Sequence, residues 1–530
     1  MDYRIEPPKR IVIPNWRYFN NTVNLGELTA YENINFDEAS LYPIDDYIND
    51  WIDSKSVYRA SDLISAAITN SQKGNPFVID AAKFLLENVG QANLTQKHIA
   101  QFILNSNKET DCSNSIIRLQ NDAFEKLKTA SDIHENIHKL RILAHAYPYN
   151  PIVYVDMARA YTTIGLKGKA EKLIRMALYL DPQNRFVARA AARFFIHIGD
   201  NERAADVIKK TGFVKYDPWL MASDISIATV RGKRSGYIKR GQQIAFSDNY
   251  NSFSISELAS ALGTIEMEDG SRKRSRNFFN QSLIAPNDNS LAQAEWVIIA
   301  SQLPITIHPN LKVKCNHESL VYKALENNDV VSAMNNVVDW ICDMPFSMKP
   351  VLIGYNISTT IARNYELSSN ILGVGLKSHP NDPWMLNNRA YVNARANNVE
   401  EAEKDMEKLE HCTTPLTESM VICKEATKGL IAYRRKDKET GRKLYGQAIL
   451  HASELKEDSE EVVLKAKINM LREELIISNY QNSQALQDLE KLSVPNQKQD
   501  LILLRNEVLE EMKKYKNEIS IMSTQQNSYK

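Results

Sequence analysis

Residues 148–208 read PYNPIVYVDMARAYTTIGLKGKAEKLIRMALYLDPQNRFVARAAARFFIHIGDNERAADVI, and the fold can be predicted from their pattern. Residues of the same or a similar type recur in it at a step of 34 positions (182 − 148 = 34 for the first pair). The pairs are Pro148 and Pro182, Ala158 and Ala192, Tyr161 and Phe195, Gly165 and Gly199, Ala170 and Ala204, and Ile174 and Ile208. A period of this length is typical of a two-helix unit that stacks on its neighbours to form a solenoid.

Each unit of this stretch is predicted to be a helical hairpin. Apolar side chains follow a helical spacing over residues 152–164, glycines mark a turn at 165–168, and a second helical pattern covers 169–180. Pro182 ends the second helix, since proline has no amide hydrogen to donate and restricts the residue before it. The sequence therefore predicts an all-α fold built from paired helices.

One unit carries the pattern Tyr154-x-x-Met157-Ala158-x-x-Tyr161, then Ala170-x-x-x-Ile174, then Pro182. This pattern resembles the tetratricopeptide repeat (W-x2-L-G-x2-Y, then A-x3-F, then P), with Tyr154 at the usual Trp and Ile174 at the usual Phe. The resemblance implies a right-handed α-solenoid of stacked hairpins, with helical caps at both ends. It also implies that the first helix of each hairpin lines a concave groove in which peptides bind.

Weaker copies of the pattern extend the array from residue 116 to residue 451 and give roughly eight to ten repeats. The best copies cover 151–211 and 383–410. The predicted divisions are an irregular segment with prolines and aromatic residues at 1–43, an N-terminal helical cap at 44–115, the repeats at 116–451, a C-terminal helical cap at 452–515 and a polar tail at 516–530.

The first 43 residues do not follow the repeat pattern. They contain Pro7, Pro8 and Pro14 among aromatic side chains such as Trp16 and Phe19, so the segment is too apolar to stay in solvent. Two interpretations are open. The segment either forms a strap along the first helices or docks onto a partner.

Composition and charge exclude several classes of function. The 65 basic and 65 acidic side chains cancel, so the net charge gives no general attraction to nucleic acid or to anionic membranes. With 43% hydrophobic and 25% charged residues, the chain has the composition of a folded protein. No stretch has the pattern of a signal peptide or a membrane span. Five scattered cysteines favour reduced thiols, and we expect a cytoplasmic protein.

Motifs of catalysis are scarce in this sequence. It contains neither G-x-x-x-x-G-K-[ST] nor G-x-G-x-x-G, the loops that cradle phosphates, and no G-x-S-x-G nucleophile motif. Stacked repeat helices also offer broad surfaces rather than closed pockets. We therefore expect no catalytic activity and no cofactor.

One metal motif does occur, because His134-Glu135-Asn136-Ile137-His138 matches the H-E-x-x-H of zinc metalloproteases. The apolar residues around it have the spacing of an ordinary repeat helix, which places both histidines on its flank. The extended form of the motif is broken, since Arg141 stands where that form needs glycine. We predict no metal site and keep zinc hydrolysis by His134 and His138 as a remote alternative.

The concave groove is the predicted partner site. The inner face of the first helices in the two best copies gives ten candidates: Val155, Arg159, Thr162, Arg189, Arg193, His197, Trp384, Asn387, Tyr391 and Arg395. Arginines that line a concavity favour a carboxylate or a phosphate through paired hydrogen bonds. Arg159, Arg189 and Arg193 would then converge on an acidic ligand. Alternatively, they pair with acidic side chains of a neighbouring repeat.

A second set of basic residues forms two clusters, each near the start of the second helix of successive hairpins. Its members are Arg231, Lys233, Arg234, Lys239, Arg240, Arg272, Lys273, Arg274 and Arg276. Stacked hairpins could join the clusters into a positive stripe that follows a phosphate backbone. They could equally form an ordinary solvated outer surface.

These patterns favour a non-catalytic scaffold or adaptor that binds a protein or peptide partner in its groove, as a subunit of a larger assembly. An acidic partner would suit the arginines. The alternative is a nucleic-acid-binding helical array that uses the clusters at 231–240 and 272–276.

Overall fold

The computed structural model describes residues 9–19, 44–69, 72, 74–88, 96, 100, 101, 103, 104 and 133–513, without 248, 310, 414, 456–458, 496, 497, 499 and 500. Within these residues all regular structure is helical, as the sequence predicts. No helix among them is long and apolar enough to cross a membrane. The predicted polar tail at 516–530 lies outside the described residues.

The helices are numbered here in chain order. They are α1 Ile44–Asp53, α2 Val57–Thr69, α3 Pro76–Glu87, α4 His134–Ala146, α5 Pro151–Thr163, α6 Lys167–Leu180, α7 Arg185–His197, α8 Asn201–Lys210, α9 Pro218–Val230, α10 Ile238–Ile244, α11 Ser252–Asp269, α12 Arg272–Ser282, α13 Asp288–Ser301, α14 His317–Glu326, α15 Val330–Asp343, α16 Met348–Asn356 followed by a π-helical turn at Ile357–Ile361, α17 Tyr365–Ser378, α18 Pro383–Arg395, α19 Val399–Glu410, α20 Glu418–Arg434, α21 Lys438–Ser453, α22 Ser459–Ile477, α23 Ser483–Lys491 and α24 at 501–513.

The repeat period in the sequence equals the spacing between the starts of successive first helices. Helices α5, α7, α9 and α11, the first helices of four successive hairpins, begin 34, 33 and 34 residues apart (185 − 151, 218 − 185 and 252 − 218). Each starts after a residue whose side chain accepts a hydrogen bond from an amide of the first turn, which has no partner within the helix. These capping residues are Asn150, Asn184, Asp217 and Asn251. The predicted solenoid of tetratricopeptide-like hairpins is confirmed.

The hairpins form two layers. The second helices are amphipathic, as in α6, which buries Ala170, Ile174 and Ala177 and exposes its other face. The first helices of the early hairpins, α5, α7 and α9, are buried on nearly every face, and α9 buries each residue from Pro218 to Ala228. A helix that is apolar all round needs cover on both sides. The second helices cover one side, so other parts of the chain must cover the concave side.

The curved stack closes on itself where α5 meets α17. The turn after α5 approaches the end of α17 so closely that a Cβ atom at Gly165 would lie 2.6 Å from the carbonyl oxygen of Lys377. Beside this contact, the imidazole rings of His197 and His379 have centroids 4.4 Å apart. Helices α5 to α17 therefore surround a closed interior.

The two ends of the described helical array have clusters of their own. Helices α1–α3 bury Trp51, Leu63 and Val78 in one cluster. Helices α22, α23 and α24 share another, which includes Leu475 and Val508. Both regions are helical, as expected of caps, while the domain boundaries at 44–115 and 452–515 stay predictions.

Candidate functional site

An extended stretch of the chain lies in the closed interior. Residues 9–19, called the N-terminal segment from here on, contact side chains of α5, α7, α13, α14 and α15. Val12, Trp16 and Phe19 are buried. Residues 9–19 lie along the helices, as the strap interpretation expects. They also contact α13, α14 and α15, which are far along the chain from the first helices. Residues 1–8 and 20–43 lie outside the described part of the chain.

Side chains of α5 and α13 bind the main chain of the N-terminal segment at every third residue. These bonds recognise an extended backbone and satisfy polar groups that are costly to bury without a partner. The four bonds are Gln293 Nε2 to the carbonyl oxygen of Arg10 at 3.0 Å, Asn289 Nδ2 to that of Ile13 at 2.9 Å, Arg159 Nε to that of Trp16 at 3.0 Å, and the amide of Phe19 to Asp156 Oδ1 at 3.0 Å.

Arg10 anchors the end of the segment that lies against α13 and α14. Its guanidinium donates to both carboxylate oxygens of Glu318 at 2.9 and 2.8 Å. It also donates to Gln293 Oε1 at 2.7 Å and to Asn289 Oδ1 at 2.8 Å. Burial alone would raise the pKa of Glu318, but the charges of Arg10 and Lys349 hold it at about 2. The carboxylate is therefore ionised at neutral pH, and Arg10 is held by a buried, charged partner.

Arg17 makes the second buried ion pair of the N-terminal segment. Its Nε donates to both oxygens of Asp343 at 2.9 and 2.8 Å, and its Nη2 lies 2.6 Å from Asp343 Oδ2. The same Nη2 is 2.8 Å from Asp288 Oδ2, to which Asn15 Nδ2 also donates at 2.7 Å. Burial raises the pKa of Asp288, and the charge of Arg17 offsets part of that rise. Two carboxylates from α13 and α15 thus share one arginine.

Aromatic and guanidinium groups fill the interior around Phe346. The ring centroid of Trp16 is 5.3 Å from that of Phe346. The guanidinium carbons of Arg159 and Arg193 lie 5.5 and 5.2 Å from the same centroid. Arg159 also lies 4.1 Å over the ring of Tyr18, so it is held between two aromatic rings.

The three arginines that were predicted to converge have different surroundings. Arg159 binds the N-terminal segment, and Arg193 stacks on Phe346, where burial lowers its pKa to about 10. Arg189 turns towards α11, where its Nη2 donates to Glu257 Oε2 at 2.8 Å. Arg189 is therefore paired internally, but with a carboxylate two hairpins further along rather than with one of the neighbouring repeat. All three side chains are buried.

The other candidates of the first copy also lie in the interior. Val155 and Thr162 are fully buried, and Thr162 Oγ1 donates to the carbonyl oxygen of Ala158 at 2.8 Å. Burial lowers the pKa of His197 to about 2, with a further contribution from His379. His197 is therefore neutral at physiological pH.

The candidates of the later copy lie under the C-terminal helices or at the surface. Trp384, at the start of α18, is 42% exposed. Tyr391 and Arg395 contact the C-terminal helices, and Arg395 Nη2 donates to Glu507 Oε1 of α24 at 2.7 Å. Asn387 is buried, and its Oδ1 has no hydrogen-bond partner among the described residues. Helix α24 thus covers this part of the inner face, much as the N-terminal segment covers the first part.

Apart from Arg159, the residues that hold the N-terminal segment were not among the sequence candidates. They are Asp156, Asp288, Asn289, Gln293, Glu318 and Asp343. Their carboxylates and amides favour a basic ligand, whereas the arginines favoured an acidic one. The sequence held a partial signal for some of them, because α13 carries polar residues at 288, 289 and 293 beside the apolar ones that it buries.

The basic candidates lie on the outer layer around α10 and α12. Arg231 and Lys233 pair with Glu202, and Arg274 pairs with Glu266. Arg272 Nη2 donates to the carbonyl oxygen of Ser301 at 2.9 Å. The remaining five are exposed and have no carboxylate partner in the described part of the chain: Arg234, Lys239, Arg240, Lys273 and Arg276.

The histidines of the H-E-x-x-H motif are exposed on α4. Glu135 forms an ion pair with Lys139 at 2.6 Å, on the same exposed face. Among the described residues, no group of three or more His, Cys, Asp or Glu side chains is placed to hold a metal ion. The motif thus gains no third ligand from this part of the chain.

No family model matches the chain, and no curated protein does. Similar solved structures include the APC/C hetero-tetramer Cut9–Hcn1, at 12% identity over 84% of this chain and 98% of that one, with a TM-score of 0.32. A tetratricopeptide repeat protein from Parabacteroides merdae is 16% identical over 53% and 97%, with a TM-score of 0.25. Yeast Tom70 is 11% identical over 76% and 97%, with a TM-score of 0.26. TM-scores this low carry no argument about partners or activity.

Proposed function

We propose that this protein is a non-catalytic helical-repeat scaffold that holds a protein partner by an extended segment in its concave groove, as a cytoplasmic subunit of a larger assembly. The observation that carries the proposal is the recognition of the N-terminal segment, whose main chain is bound at every third residue by α5 and α13. Main-chain hydrogen bonds give affinity for an extended peptide without tying it to one sequence.

Side-chain contacts supply the specificity of this groove. Its carboxylates bind two arginines seven residues apart (17 − 10 = 7), and its aromatic wall takes the indole of Trp16. The partner segment that fits is therefore extended, carries basic residues at this spacing and has an aromatic residue beside the second one. This chemistry favours a basic partner over the acidic one that the groove arginines suggested.

The chain's own N-terminal segment occupies the groove in this structure, so a partner segment enters by exchange. The segment and the partner then compete for the same carboxylates on α13, α14 and α15. Competition of this kind makes partner binding dependent on release of residues 9–19.

The test is to remove the N-terminal segment from the groove and then to measure the binding of an added peptide. A protease site placed within residues 20–43 of the full-length chain allows the segment to be cut after folding and removed in mild urea. After return to native buffer, a fluorescent peptide of residues 9–19 is added and its anisotropy measured. We expect saturable binding, and at least about tenfold weaker binding of the peptide with Arg17→Ala, because two carboxylates lose their buried partner.

A scrambled peptide of the same composition is the control for charge alone. If the emptied protein loses structure, the same peptides are compared by how far each raises its Tm, since a ligand of the folded state stabilises it. Equal behaviour of the native and scrambled peptides, or no binding by a protein that keeps its helical circular dichroism, contradicts the proposal.

A further inference from the structure

The second helices of two successive hairpins lie side by side on the outer layer. Glu266 of α11 accepts a hydrogen bond from Gln242 of α10 at 3.2 Å and is also paired with Arg274 of α12. The ring of Phe246, just after α10, has its centroid 5.1 Å from that of Phe278 in α12. These contacts place both basic clusters on one surface. The outer basic surface is defined here as Arg234, Lys239, Arg240, Lys273, Arg276 and Phe246.

The cations of the outer basic surface have no ion-pair partners among the described residues. All five are exposed. Other exposed arginines of this protein do have such partners: Arg203 pairs with Glu171 and Asp200, and Arg435 with Glu403. Since the whole chain has a formal net charge of zero, five unpaired cations on one surface create a local positive potential.

An aromatic ring lies within this surface. Phe246 is 53% exposed, although a large apolar side chain is normally more stable when buried. The buried ring of Phe278 packs against it, with the two ring centroids 5.1 Å apart. A supported, exposed ring among cations is the arrangement that binds the face of an unpaired base.

We propose that the outer basic surface binds single-stranded nucleic acid. Lys239, Arg240, Lys273 and Arg276 contact the phosphates, Arg234 extends this track, and a base stacks on Phe246. This activity goes beyond the proposed scaffold function and uses the outer layer rather than the groove. An acidic protein would satisfy the cations but give the exposed ring no role, and a duplex would keep its bases away from it.

The experiment measures the anisotropy of a labelled oligothymidylate of about 20 nucleotides with the full-length protein, starting near 50 mM salt. Counterion release predicts that log K falls with log salt at a slope of about −3.5, since each of five contacts on a single strand contributes about 0.7. A duplex of the same length and poly-glutamate serve as competing ligands.

Two variants separate the contributions of charge and stacking. Lys273→Ala combined with Arg276→Ala should weaken binding at low salt and reduce the slope by about 1.4, because two phosphate contacts are lost. Phe246→Ala should weaken binding about 5- to 150-fold at fixed salt and leave the slope unchanged, because it removes stacking and no charge. Lys408→Ala combined with Lys443→Ala removes two exposed charges from α19 and α21 and should change nothing.

The thermal transition of each variant checks that the fold is intact. Three results overturn the proposal: no binding near 50 mM salt, a double variant no weaker than the α19 and α21 control, or Phe246→Ala without effect on binding. Competition by poly-glutamate as strong as by the single strand, together with an unchanged Phe246→Ala, would assign the surface to an acidic protein instead.

Discussion

Arg17 and Asp343 are 326 residues apart in the chain, yet they form an ion pair in the interior of the protein. Arg17 Nε donates to both carboxylate oxygens of Asp343, at 2.9 and 2.8 Å. Both side chains are largely buried, and Asp288 joins them at 2.8 Å. Together with Asp288, this pair ties the N-terminal segment to α13 and α15.

Arg17→Ala should lower the free energy of unfolding by about 3–5 kcal/mol, because it leaves Asp288 and Asp343 buried without their positive partner. The matched control is Arg203→Ala. Arg203 also pairs with two carboxylates, but its side chain is 45% exposed, and its loss should cost about 1 kcal/mol or less. Thermal or urea unfolding of the three proteins measures the difference. Equal effects of the two substitutions would mean that the N-terminal segment is not held in the interior.

Asp156 gives the interior a pH dependence of a defined sign. Burial raises its pKa from 3.8 to about 7, although the amide of Phe19 donates to it. The unfolded chain therefore loses this proton at lower pH than the folded one, so ionisation costs stability as the pH rises from about 4 to about 7. Asp156→Asn keeps an acceptor for the Phe19 amide and cannot ionise. We expect its stability to rise above that of the unmodified protein across this interval and the difference to level off above pH 7. A difference that does not change with pH would contradict the assigned burial.

Gly165 and Gly199 occupy the same place in successive repeats and both have positive φ, +73° and +83°. An alanine at either position is strained by its backbone, at a cost of about 1–2 kcal/mol. At Gly165 the new methyl group would also meet the carbonyl oxygen of Lys377, whereas at Gly199 it would have no atom within 4 Å. We expect Gly165→Ala to lower the Tm more than Gly199→Ala. Hydrogen exchange should increase near residue 377 in the first variant alone. An identical loss in both variants would argue against closure between α5 and α17.

Glu507 fixes helix α24 to the inner face of the later repeats. It accepts from Tyr365 at 2.6 Å and from Arg395 at 2.7 Å, and its side chain is nearly buried. Burial would raise its pKa, but the charge of Arg395 is among the effects that lower it overall. Glu507→Gln should cost about 2 kcal/mol, since a charged hydrogen bond becomes a neutral one. Glu510→Gln, which affects a half-exposed pair with Arg363, should cost much less. Hydrogen exchange over residues 501–513 measures the effect of each substitution. Faster exchange in Glu510→Gln than in Glu507→Gln would contradict the conclusion that Glu507 fixes α24.

The local features of the fold could be predicted from the sequence because they depend on neighbouring residues. The 34-residue step, the small residues at 158 and 170, and the turn glycines each act within one hairpin or between adjacent ones. These interactions are short in sequence, so their pattern remains visible in the chain.

The content of the groove could not be predicted in the same way. Periodicity places Arg159 and Arg193 on the inner face, but their exposure depends on residues 9–19 and on Phe346, which are distant in sequence. The contact between Gly165 and Lys377 closes the stack, and it depends on the summed curvature of many hairpins. No single sequence motif encodes that curvature. One signal was present: α9, at Pro218–Val230, lacks a polar stripe, which indicates a helix covered on both sides.

Residues 9–19 lie inside the curved stack, and Lys9 offers the sharpest test of this placement. Its Nζ is 2.7 Å from Glu268 Oε1, and its side chain is 59% exposed, so a zero-length carbodiimide reagent can reach the pair. We expect mass spectrometry of the treated protein to show an amide bond between Lys9 and Glu268, and Lys9→Arg to abolish it. Modification of Lys9 with no bond to Glu268, or with bonds scattered over unrelated carboxylates, would contradict the account.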